Sequence, residues 1–428
     1  MTGVGAGGSV LRVRLHAFPA LRPPGALASR VAAPPYDVVS RSEAAALARD
    51  NPLSFLHVAR AEIDLPETVD PHDPRVYRQA RRALDRLVAD GALQRDRRAA
   101  LYLYREVMAG RAQTGVVGGV HVDDYEAGVI RKHETTRPDK EDDRTRHLLA
   151  LEAHAEPVLL LYRGRPEINR LVAAATAAAP LYDFATADGV AHTLWRVDDP
   201  APYERAFAGV ARAYVADGHH RSASAWRAAR ELRARHPGHS GAEEYDWFPA
   251  VLVPADQLRI LAYNRVVLDL AGRAPAEVLA ELGRVGRLAV TDDPVPPRPA
   301  TFCVYLAGRW HRLELAEDSI DRSDPIRALD VSLLQERVLG PVLGIADQRT
   351  DKRIDFVGGI RGPRALAARV DSGEAALAIS LHPTTVEQLM AVADAGHVMP
   401  PKSTWFEPKL LSGLFVHPFA GGLGEGAA

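Results

Sequence analysis

Short apolar runs alternate along this chain with longer polar stretches that end at glycine or proline, and the spacing of those runs predicts a mixture of strands and helices. Leu101 to Val107 and Gln113 to Val122 are apolar-rich and joined by a short Gly-containing connection, the pattern of paired strands. Arg75 to Asp90 has helical periodicity and is closed by Gly91. Pro157 to Tyr162 reads as a buried strand and Ile168 to Ala179 as an alanine-rich helix. Ala213 to Ala216 is a further strand, followed at once by a glycine turn and a helix through Arg235. Nearer the start, Val10 to Arg14 reads as a strand. Ser40 stands three residues before Glu43, the capping-box spacing, so a helix starts there and runs to about Asp50. Beyond a loose boundary near residue 250 come a helix over Ala274 to Leu282, a hairpin over Phe302 to Leu315, and strands at Ile354 to Gly362 and Ala375 to Leu381. Thr384 and Glu387 form a second capping box ahead of a helix ending at Gly396. The class expected is α+β, with lobes over residues 1–250 and 251–428.

Composition narrows the function. The chain has 428 residues, 47% hydrophobic and 25% charged, which suits a globular protein with a sizeable core. Its 53 Lys and Arg against 55 Asp and Glu give a net charge of −2, which argues against a nucleic-acid partner. The arginine-rich stretch from Arg75 to Arg98 is interrupted by Asp85, Asp90 and Asp96 and reads as a solvated helix face. Cys303 is the only cysteine, so intrachain disulfides and Cys-based zinc sites are excluded, and its apolar surroundings suggest a buried structural thiol. With no run of 18 apolar residues and no basic segment leading an apolar core, no membrane partner is expected and a cytoplasmic location is. Gly3 to Gly8 formally satisfies G-x-G-x-x-G, but no strand precedes it, and it reads as a flexible leader. No phosphate loop, H-E-x-x-H helix or G-x-S-x-G elbow occurs.

The densest candidate chemistry is Asp217-Gly218-His219-His220-Arg221-Ser222, between the strand and the helix. A helix N-terminus presents unpaired N–H groups and a partial positive charge, and two imidazoles and a guanidinium sit on the same turn, so phosphate is the natural guest. A second candidate runs from Arg131 to Arg144, where Lys132, His133, Glu134, Arg137 and Lys140 mix cations with carboxylates. Lysine and arginine neutralise phosphate directly, whereas Mg²⁺ prefers carboxylates and water. His147 and His154, seven apart, could share a helix face with this segment. Pro34 and Pro35 fix the backbone before Tyr36 and Asp37, which aims a carboxylate or simply makes a turn. The Pro-rich stretch Met399 to Lys409 holds Lys402, Thr404 and Trp405 as candidate substrate contacts.

Val31 to Val39, Asn51 to Leu56, Lys132-His133-Glu134 with Thr136-Arg137, Ala216 to Arg221, Asp355 to Gly362 and Pro400 to Pro408 together resemble domain-of-unknown-function family 1015, across nearly the whole chain. That family name implies no activity. Locally, Asp217 to Ala225 is similar to the phosphate-contacting turn of the ParB and sulfiredoxin superfamily, which includes free-serine kinases, nucleotide-hydrolysing DNA-segregation proteins and ATP-dependent sulfinate reductases. The resemblance implies a ParB/sulfiredoxin-like nucleotide-binding core with large insertions and a second α/β lobe, and places Gly218, His219, His220, Arg221 and Ser222 on phosphate oxygens. Sulfinate reduction would need a cysteine at the turn, where His219 stands. DNA partitioning would need a helix-turn-helix and a basic surface, neither of which the sequence offers.

The expectation is a small-molecule kinase moving phosphate between ATP or ADP and a small hydroxyl compound, plausibly a free amino acid such as serine. In it Glu134, Asp37 or Asp217 serves catalysis, Asp217 and Glu134 hold Mg²⁺, and Lys132, His133, Arg137 and Lys140 join the turn in holding the nucleotide. The alternatives are a non-catalytic nucleotide-responsive regulatory protein and a phosphoester hydrolase using His219 or His220.

Overall fold

Parallel pairing of two short strands decides where the charged segment of this sequence ends up. The structure, a computed structural model, describes residues 11–419. Gly3 to Gly8 and Val10 lie outside the described residues. The chain divides into two compact units, one of residues 11–258 with 408–419 and the other of residues 259–407. Against the expected boundary near residue 250, the first unit runs on to Leu258 and takes back the tail from Pro408.

The first unit is built on a mixed nine-stranded sheet. In spatial order its strands are Ile130–Arg131, Ala213–Asp217, Val158–Tyr162, Trp247–Pro254, Arg111–His121, Leu101–Met108, Ala191–Val197 and Tyr182–Ala185, with Leu15–His16 also paired to Arg111–His121. Leu101–Met108 and Arg111–His121 form the hairpin that their alternation predicts. The early strand comes at Leu15–His16 rather than at Val10 to Arg14, because pairing opposite Val120 and Gly119 selects those two residues.

Ala213 and Tyr214 run parallel to Ile130 and Arg131, so both strands end at the same sheet edge. Val158–Tyr162 is antiparallel to Ala213–Asp217 and therefore begins at that edge. Three chain segments thus converge: Lys132 to Glu134, Asp217 to Arg221, and Glu156 with Pro157. Two buried clusters support the unit. One packs the sheet around Leu160, Val215, Phe248 and Phe207, and the other packs helix Pro74–Ala89 through Ala80 and Leu84 against Phe55 and Val416.

The tail is fastened by backbone pairing. Ser412 bridges Ala33, Val416 bridges Leu21, and His417–Pro418 pairs with Ala153–His154.

The second unit carries a six-stranded antiparallel sheet in the order Arg287–Val290, Arg309–Glu314, Thr301–Leu306, Leu377–Leu381, Tyr263–Val267, Ile354–Gly358. Cys303 is buried in the third of these. The capping box before helix Val386–Asp394 is Thr385 with Gln388, not Thr384 with Glu387. The Thr384 hydroxyl donates instead to the Ser403 carbonyl, 2.9 Å away. Among the described residues no helix is long and apolar enough to cross a membrane.

Candidate phosphate and acid–base site at the sheet edge

Helix His219–Arg235 begins directly after its strand, separated by Gly218 alone. Gly218 has φ +97°, a conformation that side-chain-bearing residues rarely adopt, and a Cβ there would stand 3.1 Å from Arg221 Nε. Glycine lets the chain turn sharply enough for the helix to start at the sheet edge. Gly218 brings no side chain to cap the helix. Ser222 N is the first to reach an acceptor, the Gly218 carbonyl at 2.9 Å, which leaves the N–H groups of His219, His220 and Arg221 without helical acceptors. This is the standard electrostatic arrangement for holding an anion.

Asp217 and Arg221 form an ion pair beneath the turn, with Arg221 Nη2 2.8 Å from Asp217 Oδ2. Lys409 Nζ is 3.3 Å from Asp217 Oδ1. Burial works against the Asp217 charge, but Lys409 and Arg221 outweigh it and hold the carboxyl well below its usual range. Arg221 is itself buried; burial opposes its charge, and Asp37 and Asp217 more than restore it. Its Nη1 donates to the Pro157 carbonyl. Arg221 is thus a buried organiser of the turn, with two of its donors already engaged inside the protein.

The Pro34-Pro35 passage delivers Asp37 to the same place. Arg60 donates to the Tyr36 and Val39 carbonyls, at 2.8 and 3.0 Å, and Tyr36 N donates to Glu156 Oε1 at 3.1 Å. The Arg144 guanidinium lies over the Tyr36 ring at 4.2 Å. So fixed, Asp37 Oδ2 is 3.9 Å from Arg221 Nη2. Behind the turn, Arg144, His147, His154, Glu156, Arg221 and Ser224 contribute to the lining of a cavity of about 40 Å³. Arg144 Nη1, His154 Nε2 and Arg221 Nε have no hydrogen-bond partner among the described residues, and the cavity has room for ordered water to satisfy them.

Lys132-His133-Glu134 closes the other side. His133 is fully buried and packs edge-on against His219, ring centroids 4.4 Å apart. Glu134 Oε2 lies 3.7 Å from His219 Nδ1, and Glu134 Oε1 lies 4.0 Å from His133 Nε2. Burial pushes His133 down to about 3, helped by the neighbouring His219. Burial pushes His219 to about 3 as well, against the pull of Asp217. Both rings are therefore neutral at pH 7. His219 Nε2 is buried without a hydrogen-bond partner among the described residues. His220 Nε2 accepts from Arg137 N at 3.1 Å, so a neutral His220 carries its proton on Nδ1. Lys132 is held by its cation over the Tyr125 ring at 3.9 Å. The exposed Arg137 side chain pairs with Asp139 at 2.8 Å, and Lys140 lies in the first turn of helix Pro138–Leu151.

Some sequence expectations meet a different arrangement. Ser222 is completely buried and its hydroxyl donates to the Gly218 carbonyl at 3.2 Å, so it faces the helix rather than an incoming phosphate. His147 and His154 do not share a helix face, because the helix ends at Leu151 and Glu152 takes a left-handed φ of 52°. Both nonetheless line the cavity. Asp217 and Glu134 do not fit Mg²⁺ as a pair, because each Asp217 oxygen already faces a side-chain cation. Lys402, Thr404 and Trp405 belong to the second unit, where Lys402 Nζ lies 5.4 Å from the Tyr263 ring centre and Trp405 Nε1 donates to Glu407 at 2.8 Å. Sequence reasoning passed over Lys409, Glu156 and Ser412, whose hydroxyl donates to Glu156 Oε1 at 2.7 Å. Lys409 carried a signal, since it ends the Pro-rich stretch already singled out. A lone glutamate before a strand and a lone serine in the tail carried none.

The sequence matches the family described as Protein of unknown function (DUF1015) over residues 15–332. No curated protein matches it. Among solved structures it is similar to C-terminally truncated SbnI from Staphylococcus aureus, at 14% identity and TM-score 0.37, covering 70% of this chain and 87% of that one. It is also similar to a free serine kinase in complex with AMP, at 15% identity and TM-score 0.32, covering 68% and 86%. A conserved hypothetical protein from Pyrococcus furiosus is similar at 13% identity and TM-score 0.32, covering 70% and 95%.

Proposed function

We propose, for a chain that belongs to the DUF1015 family of proteins of unknown function, that the sheet-edge site transfers phosphate between ATP or ADP and a small hydroxyl compound. The observation that carries this reading is a carboxylate, Glu134, set 3.7 Å from the first side chain of a helix whose opening N–H groups have no side-chain cap. Phosphoryl transfer needs charge neutralisation on the phosphate, in-line positioning and a group to take the hydroxyl proton. In this reading the N–H groups of His219, His220 and Arg221 hold phosphate oxygens, with the His220 Nδ1–H as a further donor. Lys132 and Lys140 meet the remaining nucleotide charge, and Lys409 and Arg221 keep Asp217 from repelling it. Glu134 takes the proton of the acceptor hydroxyl. Neutral His133 and His219 give Glu134 a firm wall without a competing permanent cation. Asp37, poised on Arg221, is a positioning carboxylate. A free amino acid such as serine is the acceptor that the resemblance of the turn implies.

The test is incubation of the full chain with ATP or ADP and a panel of amino acids, polyols and their phosphates, with and without Mg²⁺, followed by phosphorus NMR. A new phosphomonoester resonance is expected. Release of inorganic phosphate alone would favour the hydrolase, and binding without turnover would favour a nucleotide-responsive regulator.

A further inference from the structure

After helix His219–Arg235 the chain loops back through the short turn Glu244–Asp246 to strand Trp247–Pro254, gathering His239, Glu243 and Asp246. Glu243 is fixed by two backbone donors and one side chain: Ser240 N and Gly241 N each reach it at 2.8 Å, and the Ser240 hydroxyl at 2.9 Å. Its Oε2 lies 2.8 Å from His239 Nδ1. An ionised carboxylate can only accept, so a neutral His239 carries its proton on Nδ1 and its lone pair on Nε2. The Tyr245 hydroxyl, 3.1 Å from Nδ1, is compatible with this because it can accept as well as donate.

His239 Nε2 is 3.8 Å from Asp246 Oδ2. Asp246 is fully buried, and that oxygen has no hydrogen-bond partner among the described residues, although its companion Oδ1 accepts from Arg233 at 2.7 Å. Two acceptor atoms thus stand apart at a distance too long for a hydrogen bond. Metal–nitrogen and metal–oxygen bonds of about 2.1 Å put two tetrahedral ligands roughly 3.4 Å apart, so a small closure would seat one ion between them. Charge favours the same guest. Arg233 is shared between two carboxylates, Asp246 and Asp123, the latter accepting from its Nη1 at 2.8 Å, and Glu243 adds a third carboxylate on the other side of His239. The neighbouring His121 is pushed down by burial and adds no compensating charge at neutral pH.

We propose that a divalent transition cation of the zinc class binds between His239 Nε2 and Asp246 Oδ2, with Glu243 holding the imidazole in the required tautomer. Imidazole in the ligand set selects zinc over magnesium, and a carboxylate on the far ring nitrogen is the usual support for a metal-bound histidine. Water completes the coordination. The site is independent of the phosphate-transfer reading.

Calorimetric titration of Zn²⁺ into the metal-stripped full chain tests it. The parent should take up one equivalent that His239→Gln loses while keeping the parent circular dichroism spectrum, since that ring is partly exposed and Arg233 keeps both its partners. Glu243→Gln should bind the same equivalent about 10- to 100-fold more weakly. Mg²⁺ should not compete at equal concentration. No uptake by the parent, or equal uptake by parent and His239→Gln, overturns the assignment.

Discussion

Two histidine clusters in the first unit face opposite situations. At the turn, His133 and His219 pack ring against ring, and the Glu134 carboxylate stays 3.7 Å from His219 and 4.0 Å from His133. Elsewhere in the same unit, Glu244 is gripped by His417 Nε2 at 2.6 Å and by His16 Nε2 at 3.2 Å. There the carboxyl is pulled down to about 2, with both histidine hydrogen bonds outweighing burial. Burial also lowers His417, so a neutral His417 donates from Nε2 to an ionised Glu244. The second cluster spends its carboxylate and both facing imidazole Nε2 atoms on one another, although His417 Nδ1 is buried without a hydrogen-bond partner among the described residues. The first has kept a carboxylate oxygen, an imidazole nitrogen and a set of helix N–H groups uncommitted. Structural polar clusters close on themselves, whereas a site that waits for a ligand leaves groups open at some cost in stability.

The largest expected effect separates the two carboxylates. Glu134→Gln keeps volume and hydrogen bonding but removes the base, so turnover in the phosphorus NMR assay should fall by about 10²-fold or more with little change in nucleotide affinity. Glu244→Gln should leave turnover per folded molecule at the parent level while lowering stability to urea by on the order of 1 kcal/mol. If Glu244→Gln abolishes turnover and Glu134→Gln does not, the two clusters have been assigned the wrong way round.

A second difference concerns the cation missed in the sequence. Lys409→Ala leaves Asp217 with Arg221 alone and turns negative potential toward an incoming phosphate. Affinity for ADP, measured by calorimetry, should drop by about tenfold, the scale of one charge-assisted contact. An unchanged affinity would remove Lys409 from the site.

The pH dependence of stability sharpens the contrast further. His133 and His219 take up protons near 6.5 when unfolded but only near 3 when folded, so between those values the unfolded chain binds more protons. Their contribution is therefore present above about 6.5 and is lost as pH falls toward 3, at up to about 1.4 kcal/mol per pH unit for each ring. Glu244, depressed to about 2, loses its contribution lower down, between its unfolded value near 4.5 and 2. Urea titrations from pH 7 to 5 should show a smaller slope in His219→Asn than in the parent.

Local signals in the sequence were read well where one interaction decides the outcome. The Ser40 and Glu43 capping box is present as expected, and helix Pro74–Ala89 ends just before Gly91 at φ 69°. The second capping box slipped by one residue because two threonines and two candidate partners stand side by side, and burial of Thr384 against the Ser403 carbonyl made the choice. The convergence of Lys132 to Glu134 on the turn agrees with the expectation that these residues join it in one site. What produces it is a two-residue parallel pairing at Ile130–Arg131, too short to leave a period in the sequence. Arg221 reads as a phosphate ligand from its place on the turn and from the resemblance of that turn. Its burial against Asp217 and Pro157 depends on strands distant in sequence, and only the assembled sheet reveals it.

Histidine ring ¹⁵N spectra recorded while ADP is added to the full chain test the central claim most directly, because both clusters report in one titration. The rings of His219 and His220 should shift with saturating dependence on ADP, with His133 following through its contact with His219. His16 and His417, closed on Glu244, should stay where they are. Unmoved resonances at the turn, or a response confined to His16 and His417, would contradict the account.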